Sequence, residues 1–153
     1  MTKPVDCVQI SSFLYRLKGS LLINAPLKNH TTMRVGGPAT LLYYPVQQED
    51  LIKAIQFLNK AHTEWMIAGN MSNTIFSDKG YSGCLISLKK MNHFYFEKTV
   101  LVANAGAMWP TLCKASMEKD LGGLEFTCGI PGTVGAGVRI NAGAEGHEVS
   151  DIL

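Results

Sequence analysis

The segment between residues 39 and 68 constrains the fold most, because it predicts a strand, a helix and a second strand in that order. Residues 39–44 (ATLLYY) form an apolar run that ends at Pro45, as expected for a strand. Over residues 47–61 the apolar residues recur at helical spacing, at Leu51, Ile52, Ile55 and Leu58. Residues 65–68 (WMIA) are again continuously apolar, which is typical of a buried strand. This order predicts a βαβ unit with parallel strands.

The second half of the chain predicts three further strands and one helix. The strand candidates are joined by short connections, which favours antiparallel pairing; they are Cys84–Leu88, Phe94–Phe96 and Thr99–Ala103. A helix is predicted from about Pro110 to Asp120, since proline suits a first helical turn. We expect a boundary between two α/β parts near residue 80.

Weaker patterns lie outside these segments. Residues 11–22 predict a short helix with Phe13, Leu14, Leu17 and Leu21 on one side. Residues 31–35 are β-prone and stop at Gly36, and residues 74–76 resume β character.

Composition indicates an ordered globular chain and excludes several classes of protein. Of 153 residues, 46% are hydrophobic and 17% charged, which argues against intrinsic disorder. The net charge of +2 is too small to indicate a nucleic-acid or membrane partner. No apolar run approaches the roughly 18 residues that a transmembrane helix needs, and no secretory leader is recognisable. We therefore expect a cytoplasmic protein.

The cysteines and histidines indicate no metal site. The four cysteines include no C-x-x-C pair, which excludes a zinc ribbon or a thioredoxin-like motif. Their scatter predicts buried thiols in a reducing compartment. No H-E-x-x-H motif is present, and the histidines are expected on the surface or in loops.

A glycine-rich stretch at residues 129–146 is the first candidate for binding chemistry, with six glycines in 18 residues. Clustered glycines let a ligand approach main-chain N–H groups closely, and a helix starting near Thr133 would direct its N-terminus at an anion. The stretch matches neither G-x-x-x-x-G-K-[ST] nor G-x-G-x-x-G, so a P-loop hydrolase and a Rossmann dehydrogenase are disfavoured. A flexible glycine-rich turn is the alternative.

The polar stretch at residues 69–73 (GNMSN) is the second candidate. It follows a predicted parallel strand, and ligands of such sheets bind beyond the carboxyl ends of the strands. Arg34, beside Gly36, could neutralise a phosphate. The alternatives are an ordinary turn and a surface charge. Two anion-suited loops in one small chain together indicate a nucleotide-like ligand.

These segments resemble one known family. Residues 31–39 (TTMRVGGPA) resemble its T-T-F-R-[VI]-G-G-P-A, and residues 69–73 resemble its G-N-G-S-N. Residues 123–135 (GLEFTCGIPGTVG) and 141–144 (NAGA) resemble its G-L-E-F…G-I-P-G-T-V-G-G…N-A-G-A-Y-G. The family is UDP-N-acetylenolpyruvoylglucosamine reductase, also called UDP-N-acetylmuramate dehydrogenase, and the resemblance runs from about residue 24 to the end.

The resemblance implies an α+β fold of the vanillyl-alcohol-oxidase-like type, which binds FAD between two α/β subdomains. Residues 1–23 would be an N-terminal extension, residues 24–80 the first subdomain and residues 81–153 an incomplete second one. The cofactor-binding residues implied by the motifs, with Arg34 added, are Arg34, Gly69, Asn70, Ser72, Asn73, Gly129, Ile130, Pro131, Gly132, Thr133, Val134, Gly135 and Gly143.

The reaction implied is the reduction of an enolpyruvyl ether on UDP-N-acetylglucosamine in peptidoglycan precursor synthesis. In the family, FAD takes a hydride from NADPH and delivers it to the double bond, and a protein acid supplies the proton. NADPH and a UDP-sugar are therefore the implied partners.

The chain departs from the family pattern at several positions. Met71 replaces the middle glycine of G-N-G-S-N, and a methionine there is strained if the position needs positive φ. Residues 136–137 invert the usual G-A order, and Arg139 and Glu145 replace aromatic or apolar residues. The family's catalytic arginine in Y-R-x-S, its proton-donating serine and a further glutamate would all follow Leu153. We therefore expect no catalytic residue and no substrate domain within this chain, and no turnover by it alone.

Two alternatives to a reductase remain open. The chain could be a non-catalytic flavin- or nucleotide-binding remnant of the family, or part of a different flavin oxidoreductase of the same superfamily.

Overall fold

Two compact units make up the chain, and the computed structural model describes residues 7–153 of it. The first unit extends to Lys90 and the second begins at Met91. The first contains helix α1 (Cys7–Leu14), strands β1 (Gly19–Pro26) and β2 (Pro38–Pro45), helix α2 (Gln48–Lys60), and strands β3 (Trp65–Ala68) and β4 (Tyr81–Ser87). The second contains strands β5 (Phe94–Glu97) and β6 (Val100–Ala103), helices α3 (Trp109–Met117) and α4 (Val134–Ile140), and strands β7 (Gly143–Ala144) and β8 (His147–Glu148).

A four-stranded sheet in the order β1-β2-β4-β3 forms the centre of the first unit. Strand β1 pairs antiparallel with β2, whereas β4 pairs parallel with both β2 and β3. The central strand β4 is completely buried over residues 84–87. Such burial on both faces explains its continuous apolar sequence.

Helix α2 covers one face of this sheet. Glu49 and Asp50 lie in its first turn and Lys60 in its last, which suits the helix dipole. Its apolar residues Ala54 and Leu58 pack into the same core as β2 and β4. No helix within residues 7–153 is both long and apolar enough to cross a lipid bilayer.

The sheet confirms the predicted elements but changes their arrangement. Strand β2, helix α2 and strand β3 occur where the sequence predicts them, and the two strands are parallel. They are not neighbours, because β4 lies between them. The prediction that residues 84–88 pair antiparallel with the later strands is wrong, since β4 completes the first sheet. The first unit therefore continues through Lys90 instead of ending near residue 80.

The N-terminal predictions are wrong in part. The helix predicted at residues 11–22 ends at Leu14, and β1 follows from Gly19. Pairing with β2 outweighs the weak helical pattern, because every residue from Ser20 to Ile23 has a partner in β2. Residues 31–35 form a turn instead of a strand, with Arg34 at a φ of 54°. Residues 74–76 are also not a strand, and Phe76 packs into the core of the first unit.

The second unit has a hairpin, two helices and a short C-terminal hairpin. Strands β5 and β6 pair antiparallel, as predicted. Helix α3 has Pro110 in its first turn, also as predicted, and contributes Trp109 and Leu112 to an apolar core with Val149. A 3-10 helix, Glu125–Gly129, connects α3 to the glycine-rich stretch.

The cysteines differ from the prediction of four thiols. Cys113 of α3 and Cys128 of the 3-10 helix form a disulfide. The helix and the 3-10 segment pack side by side, which brings together two sulfurs that are 15 residues apart in sequence. Cys84 is a buried thiol, as predicted, and Cys7 is a partly buried one.

Candidate cofactor-binding site

The loop at residues 69–73 leaves the carboxyl end of strand β3, as the βαβ pattern predicts. The Ser87 hydroxyl, at the end of β4, donates to the Gly69 carbonyl over 2.9 Å. The Thr32 N–H donates to the Met71 carbonyl over 3.4 Å. These contacts attach the loop to the sheet and to the turn that carries Arg34.

Met71 adopts the left-handed backbone conformation, with positive φ, in which a methionine is expected to be strained. Its φ is 55°, and its side chain is only 5% exposed. The side chain packs in an apolar cluster with Leu27, Leu42 and Phe76. Left-handed backbone costs about 1–2 kcal/mol, and burying a methionine contributes about 1.5–3 kcal/mol. Burial therefore offsets the strain, and methionine is accommodated where the resemblance has glycine.

Substitution at position 71 separates strain from packing. We expect Met71→Ala to lower the free energy of unfolding by about 3 kcal/mol, because it keeps the strain and loses the buried side chain. We expect Met71→Gly to lower it by about 1–2 kcal/mol, because glycine removes the strain as well. Urea unfolding followed by circular dichroism measures both. A glycine variant more stable than the parent chain would show that strain outweighs packing.

A shallow depression beside Arg34 brings two cationic side chains together in the first unit. Its volume is about 420 Å³, and its lining includes Lys28, Arg34, Gly36 and Asp78. Gly36 has a φ of 114°, and a Cβ there would lie 2.9 Å from the Phe76 Cβ. The two cations beside a bare glycine backbone can accept an anionic group, which Asp78 opposes in part.

The loop at residues 129–133 is held against helix α3 and the turn before it. The main-chain N–H of Trp109 donates to the Gly132 carbonyl over 3.1 Å, and the main-chain N–H of Val134 donates to the Ala107 carbonyl over 2.8 Å. The Gly135 N–H donates to Ala105 over 2.8 Å. The first two N–H groups of α4 are thus used within the unit, so they fix the loop instead of pointing freely at a ligand.

Thr133 is the residue of this loop that most clearly lacks a partner. Its side chain is fully buried, and its hydroxyl oxygen makes no hydrogen bond to any residue that the structure describes. A buried hydroxyl without a partner costs about 1–3 kcal/mol. Thr127, equally buried and six positions earlier, donates its hydroxyl to the Leu124 carbonyl over 2.7 Å. Thr133 therefore carries an unsatisfied hydroxyl, which a ligand reaches only if the protein atoms that enclose it move.

Helix α4 packs very closely on Trp109. A Cβ at Gly137 would lie 2.3 Å from the indole nitrogen, so only glycine fits there. The indole N–H is buried and is also without a partner among the described residues. Gly129 is different, because an added Cβ would meet nothing within 4 Å. The glycine-rich stretch is therefore tightly packed at Gly137, within α4, and open at Gly129.

The N-A-G-A segment forms the hairpin that follows α4. Asn141 ends the helix in the left-handed conformation and donates its amide to Glu148 over 2.7 Å. Gly143 lies opposite Glu148 in the β7–β8 pair. Glu145 and Gly146 form the turn, both with positive φ. Glu145, which replaces the family's tyrosine, is exposed.

Glu125 of the G-L-E-F segment closes the turn before the 3-10 helix. Its carboxylate accepts the Gly123 N–H over 2.7 Å. Hydrogen bonds from its own N–H and from Gly123 lower the pKa of this carboxyl, and the charge of His147 adds to the effect. Glu125 therefore stays ionised and caps the main chain.

The predicted site residues divide between the two units. Residues 69–73 and Arg34 lie in the first unit, whereas residues 129–135 and Gly143 lie in the second. Their contacts with a cofactor remain predictions. The supporting roles of Ser87 and Trp109, which hold the two loops through the bonds described above, were not predicted from the sequence. Neither lies in a glycine-rich or polar motif, so only the fold reveals them.

Comparison with known proteins decides the family. The profile of the family described as FAD binding domain matches residues 39–153. The chain belongs to this family of FAD-binding domains. FAD is accordingly its cofactor, as predicted.

The relatives of this FAD-binding domain are reductases. It is 39% identical to the UDP-N-acetylenolpyruvoylglucosamine reductase of Caldicellulosiruptor saccharolyticus over 92% of this chain and 45% of the relative. It is 41% identical to the enzyme of that name from Streptococcus mutans over 86% of this chain and 43% of the relative. The predicted family resemblance is confirmed, and the chain spans less than half the length of these relatives.

Solved structures confirm the predicted fold class. The FAD-binding domain matches the UDP-N-acetylenolpyruvylglucosamine reductase of Thermus caldophilus with a TM-score of 0.70 and 29% identity, over 88% of this chain and 46% of that one. Cholesterol oxidase of Brevibacterium sterolicum matches with a TM-score of 0.63 and 13% identity, over 83% of this chain and 25% of that one. The second likeness shows the fold alone.

Proposed function

We propose that this FAD-binding domain serves the NADPH-dependent reduction of UDP-N-acetylenolpyruvoylglucosamine to UDP-N-acetylmuramate in peptidoglycan synthesis. The relatives' names supply the reaction. Because the chain spans less than half of those relatives, the complete reaction is proposed for the whole protein and FAD binding for this chain. NADPH and the UDP-sugar are the proposed partners, and the cytoplasm is the proposed location.

The observation that carries the proposal is the match of residues 39–153 to the family of FAD-binding domains. Within the matched range, the buried Thr133 hydroxyl without a protein partner is the group to test. It lies in the I-P-G-T-V-G segment, where the resemblance implies contact with FAD. Once the atoms that enclose it move, a phosphate or a flavin carbonyl can accept a hydrogen bond from this hydroxyl, and either would satisfy a group that is otherwise costly to bury. The residues present therefore fit the cofactor.

The residues of this chain hold the cofactor. Arg34 and Lys28 attract the negative diphosphate, and the loop at residues 69–73 offers side-chain amides and a hydroxyl to its oxygens. In the second unit the proposed donor is the Thr133 hydroxyl, which the loop held by α3 keeps buried until the cofactor binds. When bound, FAD supplies the transfer of a hydride from NADPH to the double bond.

Replacing Thr133 by valine tests the cofactor site. We expect Thr133→Val to weaken FAD binding about 10-fold to 100-fold, because a hydrogen bond to a charged group contributes about 1.5–3 kcal/mol. The stability of the FAD-free chain is expected to stay the same or to rise by up to about 1 kcal/mol, since an unpaired buried hydroxyl is removed. Fluorescence titration with FAD and urea unfolding measure the two effects.

Thr127→Val is the matched control. It removes a hydroxyl that is equally buried but bonded to Leu124, so it is expected to lower stability by about 1 kcal/mol and to leave FAD affinity unchanged. If Thr133→Val binds FAD as tightly as the parent chain, the Thr133 hydroxyl does not contact the cofactor.

An assay of NADPH oxidation separates the reductase from its alternatives. We expect the 153-residue chain to bind FAD and to show no NADPH oxidation that depends on UDP-N-acetylenolpyruvoylglucosamine. A longer protein that contains this domain and a Y-R-x-S motif is expected to show it. A longer protein with bound FAD but no such activity would favour a non-catalytic flavin-binding role or a different flavin oxidoreductase.

A further inference from the structure

The disulfide of the second unit lies directly beside the candidate cofactor loop. Cys128 is the residue before Gly129, where that loop begins, and its partner Cys113 lies on helix α3. Cys113 is 1% exposed, whereas Cys128 is exposed. The other two cysteines, Cys7 and Cys84, are unpaired. The pair therefore combines an exposed residue with a buried one, whereas the other two cysteines are thiols.

The loop at residues 129–132 is attached to helix α3 at both of its ends. At its start the Cys113–Cys128 bond joins the 3-10 helix to α3 covalently. At its end the main-chain N–H of Trp109 donates to the Gly132 carbonyl over 3.1 Å. Between them the Gly132 N–H donates only to Ile130, two residues earlier. Breaking the disulfide removes the covalent attachment and leaves the loop held by hydrogen bonds and by the packing of Ile130 on the core of the unit.

We propose that Cys113 and Cys128 form a reversible thiol–disulfide site whose oxidation fixes the cofactor loop. Oxidation orders residues 129–133 before the ligand arrives, and reduction releases them. A ligand that binds a preordered loop does not have to order it, so the oxidised chain binds more tightly. The effect on FAD affinity rests on the proposed function, whereas the effect on the loop does not.

Because Cys128 is the exposed residue of the pair and Cys113 the buried one, we expect Cys128 to react first with a small disulfide such as glutathione disulfide. The Cys128 thiolate attacks one sulfur of that disulfide, forms a mixed disulfide and releases one glutathione thiolate. The Cys113 thiolate then attacks the Cys128 sulfur, forms the internal bond and releases the second glutathione thiolate. Two protein thiols are oxidised, one glutathione disulfide is reduced to two thiols, and the protons lost by the cysteines end on those thiols or in the buffer.

Cys84 shows why the pair is distinctive. It lies in the core of the first unit, and burial raises the pKa of its thiol to about 12. Its thiolate is scarce at neutral pH, and small disulfides cannot reach it. It is therefore an internal reference for a thiol that does not exchange.

The first test measures the bond and the loop without FAD. The whole chain is equilibrated in glutathione buffers of graded potential, alkylated, and mapped by mass spectrometry. We expect a peptide cross-linked through Cys113 and Cys128 in the oxidising buffers only. Hydrogen exchange at residues 129–133 is expected to become faster on reduction, whereas exchange in β4 stays the same. Absence of the cross-link in every buffer, or identical loop exchange in both states, overturns the proposal.

The second test measures FAD affinity in the two redox states. We expect reduction to weaken FAD binding about tenfold, which corresponds to about 1.4 kcal/mol. Cys113→Ser and Cys128→Ser are expected to bind like the reduced chain and to ignore the buffer. Cys7→Ser, outside the pair, is expected to respond like the parent chain. Equal affinity of the oxidised and reduced parent chains overturns the effect on the cofactor.

The two tests separate this inference from the proposed function. A chain that forms the cross-link and orders its loop, yet binds FAD in neither state, would support the thiol–disulfide site and contradict the cofactor site. A chain that binds FAD equally in both states would support the cofactor site and contradict only the effect of the disulfide on FAD affinity.

Discussion

Gly137→Ala is expected to lower the free energy of unfolding of the second unit by about 3 kcal/mol, near the upper end of the effects of overpacking. The new Cβ would lie 2.3 Å from the Trp109 indole nitrogen, so the ring or helix α4 must move. The ring cannot move easily, because Trp109 is buried in the core of this unit. Helix α4 is therefore expected to shift, and Thr133 at its start to shift with it. Urea unfolding followed by circular dichroism measures the loss.

Two further variants make the expectation specific. Gly129→Ala adds the same methyl group where nothing lies within 4 Å, so it is expected to change stability by less than about 0.5 kcal/mol. In a Trp109→Phe background, Gly137→Ala is expected to cost less than about 1.5 kcal/mol, because the clashing nitrogen is gone. If Gly137→Ala costs the same in both backgrounds, the indole contact is not the cause.

Reduction of the Cys113–Cys128 bond is expected to lower the free energy of unfolding by about 3 kcal/mol, the chain-entropy value for a closed loop of this length. The bond connects residues that are 15 positions apart, and its loss frees the unfolded chain between them. Trp109 reports on this unit, and a Trp65→Phe background removes the signal of the first unit. Unfolding by urea with and without a phosphine reductant measures the difference.

A double serine variant controls for effects of the reductant itself. Cys113→Ser/Cys128→Ser is expected to unfold at the same urea concentration in both buffers, close to the reduced parent chain. An identical midpoint for the oxidised and reduced parent chains would mean that the bond adds no stability.

The elements that the sequence predicts best are those with a strong local pattern. Helix α2 and strands β2 and β3 follow from periodicity and from the proline and glycine residues around them. The sheet order does not follow, because the position of β4 depends on contacts between distant segments. Its continuous apolar run fits its burial, yet burial alone does not say which strands lie on either side. The N-terminal error has a similar origin, since β1 is stabilised by pairing with β2 and not by its own pattern.

The candidate site was predictable in its main-chain loops and not in the contacts that support them. Glycines and short polar residues marked residues 69–73 and 129–135, and the departure at Met71 correctly raised the question of positive φ. Whether methionine is tolerated there depends on the apolar cluster that its side chain enters, which is a property of the fold. The disulfide and the unpartnered Thr133 hydroxyl depend likewise on how α3 packs.

The position of β4 has a consequence for the order in which the chain folds. Strands β2 and β3 are synthesised before β4, but each needs β4 as its parallel neighbour. Until residue 87 has emerged from the ribosome, β2 and β3 each expose unpaired backbone groups and apolar side chains along the edge that β4 later occupies. Contacts that join distant segments form slowly, and open strand edges invite association with other chains. Newly made protein is therefore expected to be most vulnerable to aggregation, and most dependent on chaperones, before the central strand inserts.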